Sequence, residues 1–172
     1  MAEIYWAVRD LDGVPWGNHH FILIVLGAKE SMMRTKKVEE GGQKFVTLAG
    51  HALSGNLVLI ANQKADIDSV KEVINPSLIT GWSDFDMEKH SLTPPTGGGL
   101  SFAWEIERLA YNYERNAGIT PVPYDLGDVN CATWINTLLK VAGISQSDRS
   151  TAGEFSGIDW GEEQLLDENL FK

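Results

Sequence analysis

The clearest hydrophobic pattern lies between residues 16 and 27, where Gly17-Asn18-His19-His20 leads into the unbroken apolar run Phe21-Ile22-Leu23-Ile24-Val25-Leu26, closed by Gly27. A branched run of this length, ended by glycine, predicts a central strand buried on both faces and is too short to span a bilayer. Residues 4–8 and 57–61 predict further strands, and residues 44–51 another, with Gly50, His51 and the Ala52-Leu53-Ser54-Gly55-Asn56 sequence turning the chain. Helical spacing replaces alternation in three places. Residues 66–74 combine Asp66 as a cap with apolar positions on one side and stop at Pro76. Residues 100–116 place Ala103, Ile106, Leu109, Ala110 and Tyr113 on one face, Glu105, Arg108 and Glu114 on the other, and Gly118 at the exit. From Cys131 onward, Ile135, Leu138, Leu139 and Ala142 form a buried face, with Lys140 in the last turn and Gly143 as the stop. The pattern predicts an α+β fold, an antiparallel sheet packed against helices.

Length and composition narrow this picture. The 172 residues suit one domain, residues 1–172, able to bury a core without disulfides. Thr93-Pro94-Pro95-Thr96-Gly97-Gly98-Gly99 reads as a loop inside that domain, because a boundary there would separate the histidine strand from the cysteine helix. A net charge of -10 disfavours nucleic acid, and the one dense basic stretch, Arg34-Thr35-Lys36-Lys37, is followed by Glu39-Glu40 and reads as a solvated loop. No apolar run is long enough for a membrane span and no signal-peptide design is present, so synthesis in the cytoplasm is expected.

Chemistry concentrates on Cys131, the single cysteine, in Asp128-Val129-Asn130-Cys131-Ala132-Thr133-Trp134. A thiol at a helix start is expected to have a lowered pKa, because unpaired N–H groups and the helix dipole favour the thiolate. Either Asn130 or Asp128 is placed to cap the helix. His19 and His20 open the central strand and point to opposite faces, so one of them faces a given helix. A histidine at the end of a core strand beside a thiol at the end of a core helix is the arrangement of a Cys–His nucleophile pair. The bland alternative is a small buried cysteine in a core. No His-x-x-x-His helix or paired-cysteine spacing occurs, so neither a metal nor another cofactor is expected, and the lack of a Gly-x-Ser-x-Gly elbow disfavours a serine hydrolase. Among the tryptophans, Trp134 reads as core, while Trp16, Trp82 and Trp104 are candidates to line a cleft.

A histidine-led strand early in the chain, followed much later by an Asn-Cys-x-x-aromatic-aliphatic helix start, resembles the circularly permuted branch of the NlpC/P60 papain-like superfamily. That branch contains amidases and acyltransferases. The resemblance spans residues 16–142, and the tail from Gly153 to Glu163 is similar to small bacterial proteins of this type, some linked to type VI secretion. It implies a permuted papain-like fold, Cys131 as nucleophile, and His20 as base, since that residue directly precedes the apolar run, with His19 as the alternate. It also implies a third group orienting the imidazole, for which His51 is the candidate. The substrate implied is an amide in peptidoglycan peptides or another acyl compound. Delivery to a target periplasm by a secretion apparatus, with an immunity protein as partner, is the corresponding expectation. An acyltransferase or lipid deacylase, or an inactive binding module, is the alternative.

Overall fold

The computed structural model describes residues 1–11, 17–74, 87–95, 97–156 and 164–172. The apolar run forms β2 (Asn18–Leu26), in the middle of a six-stranded antiparallel sheet. The other strands are β1 (Glu3–Asp10), β3 (Val38–Glu40), β4 (Gln43–Leu53), β5 (Asn56–Ala61) and β6 (Glu88–Ser91). Their order is β3-β4-β2-β1-β6, with β5 also paired to β4. Among the described residues, four helices follow the pattern of the sequence more loosely: α1 (Lys64–Ile74), α2 (Gly99–Ile119), α3 (Cys131–Val141) and α4 (Gln146–Ala152), with a 3-10 turn at Glu168–Phe171. The expected α+β class with an antiparallel sheet and covering helices is what the molecule has.

Alternation along the strands sorts the core into two parts. Ile4, Trp6, Ile22, Ile24, Val46 and Leu48 face the larger side, where they pack with Tyr113, Trp134, Leu138 and Phe171 from the α2 and α3 side. Ala7, Phe21, Leu23, Phe45 and Ala49 face the other side and pack with Val70 of α1. The central strand is therefore buried on both faces, as its unbroken apolar run requires.

Several boundaries differ from the sequence expectation, each for a physical reason. His51 does not lie in a turn: β4 continues through it to Leu53, because β5 keeps pairing as far as Leu53↔Asn56. The turn is instead Ser54-Gly55, whose φ values of 53° and 80° suit a two-residue hairpin. Asp66 is not the cap of α1, since Gln63 Oε1 accepts from the N–H groups of Ala65 and Asp66. Gly118 does not end α2, whose last turns are held by Asn116 Nδ2 donating to Leu170 O at 3.0 Å and by Tyr113 against Phe171. The basic stretch is not merely solvated: Thr35 is buried, and the N–H groups of Met33, Arg34 and Thr35 all donate to the buried Glu107 carboxylate. Strands β3 and β6, the short helix α4 and the 3-10 turn had no pattern to announce them.

The contact that seats α3 on the sheet is Trp134 over Gly50. A Cβ at Gly50 would lie 2.9 Å from Trp134 Cγ and 2.8 Å from Leu57 Cδ1. Gly50→Ala should therefore destabilise the protein by about 1–3 kcal/mol in urea denaturation, the usual cost of overpacking a core. A neutral outcome would mean that Trp134 does not press on β4.

Candidate active site

Cys131 is the first residue of α3, and Asn130 is its cap. The Asn130 Oδ1 accepts from the N–H groups of Ala132 at 2.9 Å and Thr133 at 3.3 Å, while Thr133 Oγ1 accepts from the Asn130 N–H at 3.4 Å. This reciprocal box settles the choice between the two candidates, because Asp128 supplies only its carbonyl, which accepts from Thr133 Oγ1 at 2.7 Å. The helix start thus presents the thiol to β2. There the His20 backbone N–H donates to Sγ at 3.4 Å. That N–H belongs to the peptide joining His19 to His20, so the sulfur rests on the backbone between the two candidate bases.

The local pairing explains how the thiol reaches this position. The ladder between β2 and β4 runs from Leu26↔Lys44 to Ile22↔Leu48 and ends there, while β4 continues with β5. Beyond that point the start of β2 meets the start of α3.

Burial decides the state of the thiol. Cys131 is 5% exposed. Burial pushes its pKa up to about 11, against the pull of the N–H groups of His20, Ala132 and Cys131 itself, and the Asp66 charge adds to the rise. The lowered pKa expected from the helix start is overturned, because desolvation of the thiolate outweighs the dipole. Tyr124 is close enough that the sulfur's charge adds to burial in raising its phenol to about 12.

The two neighbouring histidines have different surroundings. On the α3 side, His20 Nδ1 accepts from the Trp6 indole N–H at 3.0 Å, and its ring meets Trp6 and Phe155 edge-on. A neutral His20 ring held this way carries its proton on Nε2. On the α1 side, His19 stands in register with Arg9 of β1, and its ring centroid lies 4.4 Å from that of His51 on β4. Asp66 of α1 closes this group: Oδ1 accepts from Arg9 Nε at 2.8 Å and lies 3.4 Å from His19 Nε2, while Oδ2 lies 3.5 Å from His51 Nε2. Burial lowers the His19 pKa to about 4 despite the opposing pull of Asp66. For Asp66, burial works upward, but His19, His51 and Arg9 outweigh it and hold the carboxyl well below the usual carboxylate range.

The structure therefore brings the Cys131 sulfur to the His20 main chain and brings His51 to His19 rather than to His20. Arg9 and Asp66 were not among the residues singled out for chemistry. The only signal for Asp66 was its place at a helix start, where a carboxylate ordinarily reads as a cap. Trp134 is core, Trp104 is 38% exposed on α2 with its indole donating to Ser31 O, and Trp16 and Trp82 lie outside the described residues. So does the acidic stretch from Asp159 to Glu163. Among the described residues no helix is long and apolar enough to cross a membrane. No family model matches the chain, and neither the curated proteins nor the solved structures yield a match.

Two outcomes follow from the helix end. Asn130→Ala should cost about 1 kcal/mol of stability, the usual worth of a cap, and should raise the alkylation rate of Cys131 as the first turn loosens. An unchanged rate would mean that the cap does not hold the thiol in place. The second concerns pH. A thiol whose folded pKa is raised contributes stability below its unfolded value of about 8.5, and that contribution is lost as pH rises toward 11. The stability advantage of wild type over Cys131→Ala should thus shrink between about pH 8 and about pH 10.5 in urea melts. A constant gap would show that the fold does not hold the thiol protonated.

Proposed function

We propose that this protein is a cysteine hydrolase of the permuted NlpC/P60 type, cleaving an amide bond, with peptides of peptidoglycan as the leading substrate. The observation that carries the reading is the Cys131 sulfur at the capped start of α3, 3.4 Å from the amide between His19 and His20. The antiparallel sheet and the order of histidine strand before cysteine helix support it.

In this mechanism the Cys131 sulfur attacks the carbonyl carbon while an imidazole of β2 takes the thiol proton. The tetrahedral intermediate collapses, the amine leaves with the proton from the imidazolium, and a thioester remains. Water then attacks the thioester with the same imidazole as base, releasing the acid and restoring the thiol. We assign the oxyanion to the Cys131 N–H, since those of Ala132 and Thr133 are engaged by Asn130. The base is assigned to His20, the choice of the sequence reading, because its ring lies on the α3 side of the sheet with the thiol, whereas that of His19 lies on the α1 side. Its Nδ1 must leave the Trp6 indole to take the thiol proton. His51 and Asp66 belong to the His19 side and do not orient this base. Because the thiol is buried and protonated at rest, proton transfer accompanies attack, and access of substrate requires local opening over the helix end. Action on cell wall would place the protein with delivered antibacterial effectors.

A second reading is favoured by the same burial: an inert thiol in a binding module. Incubation with muropeptides, followed by mass spectrometry of products and of the intact protein, separates the two. The hydrolase should release cleaved peptide and carry an acyl adduct on Cys131. Cys131→Ala should abolish both, and His20→Ala should slow cleavage about 10²–10⁴-fold, the usual worth of a general base. A larger loss with His19→Ala would move the base to His19. Peptide bound but uncleaved would favour the binding module.

A further inference from the structure

We propose that His19, His51 and Asp66 form a binding site for one divalent transition-metal ion of the zinc type. One donor atom from each of the three lies within 4.8 Å of the others. A tetrahedral ion with bonds of about 2.0–2.1 Å keeps its donor atoms roughly 3.4 Å apart. His51 Nε2 and Asp66 Oδ2, 3.5 Å apart, are already at that spacing, and His19 Nε2 reaches the same carboxylate at 3.4 Å from Oδ1.

The second observation is that the donor atoms are buried and unsatisfied. His19 Nε2, His51 Nε2 and Asp66 Oδ2 have no hydrogen-bond partner of good geometry, although His19 is 4% exposed and Asp66 is 0% exposed. Buried polar atoms of this kind are otherwise paired, and three of them converging on one point is what a bound cation resolves. The cluster is held from four elements: β1 through Arg9, β2, β4 and α1. Arg9 binds Oδ1 and fixes the carboxylate plane, the role an outer partner plays for a ligating carboxylate, and leaves Oδ2 for the ion.

Chemistry selects the ion. Arg9 already balances the Asp66 charge, so attraction for a bare cation is weak and the affinity must come from the two imidazole nitrogens. Zinc, cobalt and nickel take imidazole nitrogen readily, whereas magnesium and calcium require oxygen. Ligation at His19 Nε2 places the ring proton on Nδ1. Three protein ligands leave a fourth position open.

The test is titration of metal-free full-length protein with Co²⁺, following the visible ligand-field absorption, then displacement by Zn²⁺. One ion per chain is expected in wild type and equally in Cys131→Ala, because the thiol is not a ligand. His51→Ala removes a half-buried side chain, and its fold is checked by circular dichroism. It should weaken binding at least about 10–100-fold, the loss seen when even an outer partner is removed. Absence of Co²⁺-dependent absorption, an affinity unmoved by His51→Ala, or loss of the spectrum in Cys131→Ala would each overturn the site. Since Cys131→Ala has no nucleophile, its metal binding stands or falls apart from catalysis. Muropeptide cleavage by the metal-free wild type tests the hydrolase reading separately.

Discussion

The arrangement of this molecule depends on where β2 and β4 stop pairing. Their ladder ends at Ile22↔Leu48, and from there β4 commits its edge to β5 while β2 runs on to Asn18 beside β1. A continuous ladder would occupy the amide of His20 with strand pairing. With the ladder broken, that amide receives the Cys131 sulfur, and Gly50, lacking a side chain, lets Trp134 settle α3 over β4. The same break leaves His19 and His51 facing each other on the opposite side of the sheet, within reach of Asp66. One interruption in a sheet thus sets the nucleophile on one face and a titratable cluster on the other.

Electrostatics then makes the site a resting one. Desolvation acts in the same direction on all the groups, disfavouring charge: it raises the Cys131 thiol and lowers the His19 imidazolium. Asp66 resists the trend because Arg9 Nε and the two imidazole nitrogens surround its carboxylate. The site at neutral pH therefore holds a neutral thiol, a neutral His19 and one ion pair, Arg9 with Asp66. A preformed thiolate–imidazolium pair is not the ground state of this geometry. Such a pair would need its charges created together, close to an anion that favours the imidazolium and disfavours the thiolate.

Much of the fold was legible in the sequence because burial on both faces and helical spacing leave strong marks. The run Phe21 to Leu26, the face from Ala103 to Tyr113 and the start of α3 at Cys131 all follow from pattern alone. Short edge elements were not legible. Strands β3 and β6 are short and polar at sheet edges, where charged residues are the usual composition, and α4 has only seven residues. Of the site, the positions of Cys131, His19 and His20 could be read, but the pKa of the thiol could not, since a helix start and deep burial push it in opposite directions and sequence reveals only the first. Asp66 escaped notice for a related reason. Its role is set by β1 and β4, which lie far from it along the chain, and a helix-start carboxylate looks the same whether it caps the helix or turns into the sheet.

The divided surroundings of His19 and His20 bear on how such a site could be controlled. Any event that changes Asp66, whether a cation, a proton or a shift of α1, acts on His19 and His51 from the face of the sheet opposite the thiol. Substrate, in contrast, must approach from the helix end where Cys131 lies. The two sides of the strand are coupled through the peptide between His19 and His20, whose N–H donates to the sulfur. A structural change confined to α1 should alter the protonation of His19 without moving the nucleophile. Loosening the Asn130 cap should do the reverse.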